Sequence, residues 1–185
     1  GKGVTGLEMK EEDFVEHLFI ASTHEYILFF TDKGRVYWLK VHEVPQASRI
    51  AKGKAIINML GISQGESISA LVIVKEFSPG KFIIMATKQG IVKKTRLEAY
   101  SHPKKKGIIA IGLKTDDELI KCELTDGEQE ILLATKLGKA IRFPEEMVRD
   151  VGRSACGVKG ISLGKKDEVI GMDIIAYLIV MNVRK

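Results

Sequence analysis

TDKGRVYWLK occupies residues 31–40, and its pattern returns as TKQGIVKKTR at 87–96 and TKLGKAIRFP at 135–144. In each copy a threonine stands three residues before a glycine, and basic and apolar residues follow. Short apolar runs lead into the motif: ILFF (27–30), FIIMA (82–86) and EILLA (130–134). Their length and their Ile, Val and Phe content mark them as strands. A glycine that far past a strand supplies the positive φ of a tight hairpin turn, so RVYWLK, IVKKTR and KAIRF read as the returning strands.

Two further landmarks keep the same phase. A glycine followed by an apolar strand ending in leucine appears as GKAIINML (53–60), GIIAIGL (107–113) and GVKGISL (157–163). An acidic residue leads another strand in EDFVEHLF, ESISALVIV, ELIKCEL and EVIGMDII; these leaders, Glu12, Glu66, Glu118 and Glu168, lie 54, 52 and 50 residues apart. A period near fifty residues with four strands per unit falls in the range of propeller-type repeats. The expected fold is therefore all-β, with units at 12–60, 66–113 and 118–163 and a partial one at 168–185. In that last unit YLIVMN takes the second-strand position, and no Thr-x-x-Gly follows it before Lys185. PEEMVRD (144–150) is expected to form a short helical turn, with Pro144 suited to its first position.

Composition narrows the function classes. The 185 residues are 45% apolar, enough for a sizeable core, and carry a net charge of +5. That surplus favours a polyanionic partner over a basic one. Cys122 and Cys156 stand 34 residues apart with no CxxC and no histidine cluster, so metal-ligand spacing is absent and two buried thiols are expected. No apolar run reaches the ~18 residues that span a bilayer. GKGVTGLEMKEED lacks the apolar core of a signal peptide, which makes the cytoplasm the expected compartment, with no membrane partner.

Basic residues recur at two places in each unit. One group follows the hairpin glycine: Lys33, Arg35 and Lys40, then Lys88, Lys93, Lys94 and Arg96, then Lys136, Lys139 and Arg142. The other surrounds the later glycine: Arg49, Lys52 and Lys54, then Lys104, Lys105 and Lys106, then Arg153 and Lys159. Stacked repeats place equivalent residues on one face or rim, where these cations would form a continuous track for backbone phosphates. The middle unit carries the surplus, with nine basic residues against three acidic. A lysine run is more often a solvated loop, and edge lysines also discourage aggregation. Tyr37, Trp38 and Phe143 sit inside the basic strands and could stack on bases, although packing is the commoner role of strand aromatics.

No catalytic constellation is legible. GKG at residues 1–3 lacks the GxxxxGK[ST] of a phosphate loop, the four histidines are scattered, and no nucleophile has a base beside it. Tyr26, Tyr37, Tyr100 and Tyr177 read as packing residues.

GKGVTG, EEDFVEHLFIASTHEYILFFTDKGRVYWLKVHEVP and RIAKGKAIINML together resemble the C-terminal domain of the DNA gyrase A subunit. The resemblance runs from residue 1 to about residue 163 and more loosely to the end. Gly1, Lys2 and Gly3 match the last three positions of that family's A-subunit box, which makes residues 1–11 a remnant of the box and its lead-in, and adds Lys2 to the DNA-contact residues. The resemblance implies a β-pinwheel, a propeller-like disc of about six blades with strands exchanged between neighbours and DNA wrapped on a basic rim. The partners it implies are duplex DNA, the ATPase B subunit of an A2B2 complex, and the rest of the A subunit. No cofactor is expected in this stretch, ATP and Mg²⁺ being bound elsewhere in the parent topoisomerase. The alternatives are a non-catalytic β-repeat scaffold for an acidic protein and the terminal domain of the topoisomerase IV A subunit.

Overall fold

Residues 21–22, 24–44 and 58–176 are described by a computed structural model. Within them each Thr-x-x-Gly motif closes a hairpin by the same bonds. The N–H groups of Gly34, Gly90 and Gly138 donate to the carbonyls of Thr31, Thr87 and Thr135 at 3.0, 3.0 and 3.1 Å. The threonine hydroxyls then accept the N–H groups of Arg35, Ile91 and Lys139 at 3.3, 3.1 and 3.0 Å. All three glycines have positive φ, +75°, +88° and +88°, where a side chain would be strained. The threonine satisfies the turn's backbone and the glycine permits its shape.

The hairpins are β1 (Tyr26–Thr31) with β2 (Arg35–Lys40), β4 (Phe82–Thr87) with β5 (Ile91–Arg96), and β8 (Glu130–Thr135) with β9 (Ala140–Pro144). The acid-led strands are β3 (Ile68–Val74), β7 (Leu119–Thr125) and β11 (Val169–Ile175). The later-glycine segments form only two-residue strands, β6 (Ile108–Ile109) and β10 (Val158–Lys159). The first leading strand, at 12–19, and most of the segment at 53–60 lie outside the described residues, as does YLIVMN. A 3-10 turn spans Glu145–Met147, with Pro144 one place before it as the cap.

Sheet membership corrects one expectation. The sheets run β3-β1-β2-β6, β10-β5-β4-β7 and β11-β8-β9, all antiparallel. Each takes its hairpin from one sequence unit, and its leading strand, and in the first two sheets its closing strand, from the next. The contiguous blades expected at 66–113 and 118–163 are therefore repeats of sequence and not of sheet. Arg35 pairs with Ile109 across more than seventy residues, a contact that no local pattern announces.

Leading strands β3, β7 and β11 pack beside one another, so the sheets converge on them. Closing strands β6 and β10 consequently lie on the outer edge. Between the first two sheets pack Leu28, Phe30, Val72, Ile83, Met85 and Leu97. Ile84, Ala86, Val92, Ile131, Leu133 and Val169 fill the space between the second and third. Ile27, Phe29 and Tyr37 cover the far face of the first. Strands packed on both faces need unbroken apolar runs, and β1 and β4 are buried at five successive positions. In β8 burial alternates, because only one face is covered among the described residues.

Candidate nucleic-acid interface

The outer edges of the first two sheets are joined by their cations. The Arg35 guanidinium donates to the carbonyls of Lys106 and Gly107 at 2.7 and 3.0 Å, which holds the 104–107 turn against β2. Arg153, from the corresponding turn of the second sheet, donates to the carbonyl of Ile109 in β6 at 2.6 Å. Lys104, Lys105 and Lys106 are all exposed, and none makes an ion pair among the described residues. Lys159, exposed on β10, extends the set. These residues make a basic seam on the outer edge, spanning two adjacent sheets, in which Arg35 is partly neutralised by Glu66 at 4.0 Å.

The cations of the hairpin turns go elsewhere. Lys88 lines a cavity of about 360 Å³ where the three leading strands converge, together with Asp32, Glu118, Lys121 and Glu168. Its ammonium lies 3.9 Å from Glu118 and 3.6 Å from Glu168, and Lys136 stands 4.0 Å from the same Glu168. Lys88 and Lys136 thus ring the inner end among carboxylates and are removed from the outer track. Lys33 is exposed in the first turn.

Lys93 and Lys94 require a second correction, because both are buried, at 0% and 7% exposure. Their strand is covered on both faces, so its alternate side chains all turn into protein. Lys93 donates to the carbonyls of Ala110, at 2.7 Å, and Arg153, tying the edge of the first sheet to the turn of the second. Tyr100 adds a hydroxyl bond to the same Ala110 carbonyl at 3.1 Å. Lys94 stands 3.7 Å from the Glu145 carboxylate and 4.6 Å from the centre of the Phe82 ring. Neither ammonium can meet a phosphate.

Burial, with the Arg153 charge adding to it, lowers the Lys93 pKa from 10.5 to about 8. Below pH 8 the ammonium is charged in both the folded and the unfolded chain, and its desolvation cost is fully felt. Between pH 8 and 10.5 the unfolded chain binds the extra proton, so stability rises with pH. A displacement of that size corresponds to about 3 kcal/mol in all. The wild type should therefore gain on Lys93→Met by about 2 kcal/mol between neutral pH and the mid-nines, measured by urea unfolding of both proteins. A gap that stays flat with pH would contradict the burial of a charged Lys93.

The remaining cations divide. Arg96 is paired with Asp150 at 3.0 Å, and Arg142 with Glu130, so both enter the rim partly neutralised. Lys139 is exposed beside β9. Lys2, Arg49, Lys52 and Lys54 lie outside the described residues. Arg149 is exposed next to Asp150 and was not among the expected cations; an Arg-Asp pair beside the helical turn was its only signal in the sequence. The aromatics pack inward. Tyr37 is 2% exposed, with its hydroxyl 2.8 Å from Glu66, and burial followed by that bond raises its pKa. Trp38 meets Tyr26 edge-on at 5.0 Å, and Phe143 packs on the core behind the third sheet. Cys122 is buried, which pushes its thiol pKa up. Cys156 is exposed, contrary to expectation, because it lies in the outer turn before β10. No cluster of metal-ligating side chains occurs among the described residues, and no helix there is long and apolar enough to cross a membrane.

A family model described as "DNA gyrase C-terminal domain, beta-propeller" matches residues 1–22, 25–75, 81–126 and 129–176. The chain belongs to the DNA gyrase C-terminal domain family. A DNA gyrase A subunit from Buchnera aphidicola subsp. Baizongia pistaciae is 48% identical over 172 residues, which is 93% of this chain and 20% of that protein. The chain spans about a fifth of the length of the curated relatives it matches. Among solved structures, a C-terminal domain of DNA topoisomerase IV superposes with a TM-score of 0.77 at 34% identity, over 84% of this chain and 48% of that one. A DNA gyrase A C-terminal domain gives 0.66 at 21% identity, over 82% and 48%, a likeness of fold alone. Gyrase and topoisomerase IV domains thus share this fold, and relatives from Haemophilus influenzae and Salmonella typhimurium, 47% and 45% identical over 91% and 94% of this chain, are also DNA gyrase A subunits by name.

Proposed function

We propose that this chain binds duplex DNA without regard to sequence and bends it along the outer edge of its sheets, as the accessory domain of a gyrase A subunit. The observation that carries this reading is the seam of Arg35, Lys104, Lys105, Lys106, Arg153 and Lys159, which crosses consecutive sheets on one edge. The inner-end lysines are meanwhile held among carboxylates. Ammonium and guanidinium groups in such a row suit phosphate oxygens and carry little base information.

Bending opposes binding. Curving a 20–30 bp site by 40–90° costs on the order of 1–6 kcal/mol, and release of condensed counterions supplies the opposing gain. In the parent enzyme the bent segment would be delivered to the cleavage gate. The partners would be an ATPase B subunit in an A2B2 complex and the rest of the A subunit, in the bacterial cytoplasm at the nucleoid. Strand cleavage, ATP and Mg²⁺ belong to those other parts.

Ligase-catalysed circularisation of duplexes shorter than the DNA persistence length tests the bending. Added protein should raise the yield of circles, and it should favour one topological hand over the other. A chain that binds DNA yet leaves circularisation unchanged would be a scaffold for anionic partners and not a bending domain.

A further inference from the structure

The first two sheets meet in two different ways. Between their faces the contact is apolar, through Leu28, Phe30, Ile83 and Met85 among others. Such packing is non-directional and accepts more than one arrangement of similar volume. At the outer edge the contact is polar and directed. Gly112, three residues past β6, donates its N–H to the Ala155 carbonyl at 3.0 Å, and the Arg153 guanidinium reaches the Ile109 carbonyl at 2.6 Å. Lys93 stands between the two segments. Its ammonium donates to the Ala110 carbonyl of the first sheet at 2.7 Å and to the Arg153 carbonyl in the outer turn of the second. Gly112 lets the backbones approach this closely, since a Cβ there would lie 2.6 Å from the Ser154 carbonyl oxygen.

Stability does not account for this lysine. Burying its ammonium disfavours the charged form and costs folding energy. A methionine fills similar space without that cost. What an apolar side chain cannot supply is two directed bonds from one atom to two sheets. These bonds lie at the outer edge, away from the convergence on β3, β7 and β11. A fixed position at that distance holds the angle between the sheets more tightly than the same contact would nearer the centre. The exposed cations sit on the segments so joined, with Lys104, Lys105 and Lys106 leading into β6 and Lys159 on β10. The angle between the sheets therefore sets the course from one group of cations to the next.

We infer that Lys93 is a positioning residue for DNA bending, which bonds both sheets, sets the angle between them and so sets the curve that a duplex on the seam must follow. This role rests on the proposed DNA binding, but the angle itself is measurable without DNA.

Pulsed electron paramagnetic resonance of the DNA-free chain reads that angle. Nitroxides at His42→Cys and Val158→Cys, exposed positions after β2 and on β10, report across the two sheets, with Cys156→Ser removing the exposed native thiol. Lys93→Met should broaden the distance distribution. Gly112→Ala leaves Lys93 and every exposed cation in place, and should shift the mean distance by displacing the Ser154 carbonyl. With duplex DNA at neutral pH, both variants should keep the wild-type affinity and salt slope and lose most of the protein's gain in circularisation. Unaltered distances in both variants would overturn the inference, as would altered distances with undiminished circularisation. Affinity falling in step with circularisation would reduce Lys93 to a residue of general structure and overturn it too. A wild type that bound no DNA would overturn the bending role together with the DNA reading, and the DNA-free distances would separate that failure from a failure of the Lys93 bonds to hold the sheets.

Discussion

Replacing Glu145 with alanine is expected to lower stability by about 3–5 kcal/mol, the cost of leaving one partner of a buried ion pair uncompensated. Glu145 is 0% exposed and follows the returning strand at the position held by Val41 and Leu97 in the other repeats, which are 0% and 1% exposed. The backbone bond there is the same in all three. Val41, Leu97 and Glu145 donate to the carbonyls of Glu25, Lys81 and Gln129 at 3.0, 2.9 and 2.8 Å. Only the third repeat puts a charge in this place. Its carboxylate accepts the Thr125 hydroxyl at 2.9 Å and the Gln129 N–H at 3.1 Å, and it faces Lys94 at 3.7 Å. Lys94 lies in the second sheet and Glu145 in the 3-10 turn that directly follows β9 of the third, so their pair fastens one blade to the next. Glu145→Gln keeps the hydrogen-bonding shape and loses the charge, and it should cost roughly half as much. Urea midpoints at neutral pH measure both. A loss below about 1 kcal/mol for Glu145→Ala would mean that the pair is not buried as described.

The hairpins, their phase and the propeller-like class were legible because their causes are local. A threonine that bonds its own turn and a glycine at positive φ act within five residues, wherever the chain places them. Strand exchange was invisible for the opposite reason. Arg35 with Ile109 and Ile91 with Lys159 are pairings between units, and nothing at either partner alone names the other. The resemblance to the gyrase domain supplied that feature where periodicity could not.

For the interface, the lysine triplet at 104–106 was read correctly as exposed, since it lies in an outer turn. Lys93 and Lys94 were misread, because a strand between two sheets buries both its faces and two lysines in IVKKTR do not show this. A signal was nevertheless present. Trp38, Lys94 and Arg142 share one position, and their diagonal partners Tyr26, Phe82 and Glu130 make an aromatic, a cation–π and an ionic contact in turn. Aligning the repeats to one another would have set Lys94 in an aromatic's place, and Glu145 in that of Val41 and Leu97.

The central claim is that cations on the outer edge hold DNA through its phosphates. Lys104, Lys105 and Lys106 are the strongest test of it, being exposed and without ion pairs among the described residues. Arg35 fixes their turn through the backbone carbonyls of Lys106 and Gly107, not through their side chains. Removing the three ammonium groups should consequently spare the fold. Each phosphate neutralised contributes about 0.9 to the slope of log affinity against log salt. The decisive measurement is duplex affinity across a salt series for the wild type and Lys104→Ala/Lys105→Ala/Lys106→Ala, with thermal melting as the fold control. The account predicts an unchanged melt, a weaker complex at low salt and a slope shallower by about 2–3. An unaltered affinity and slope would show that DNA, if bound at all, lies elsewhere on the molecule.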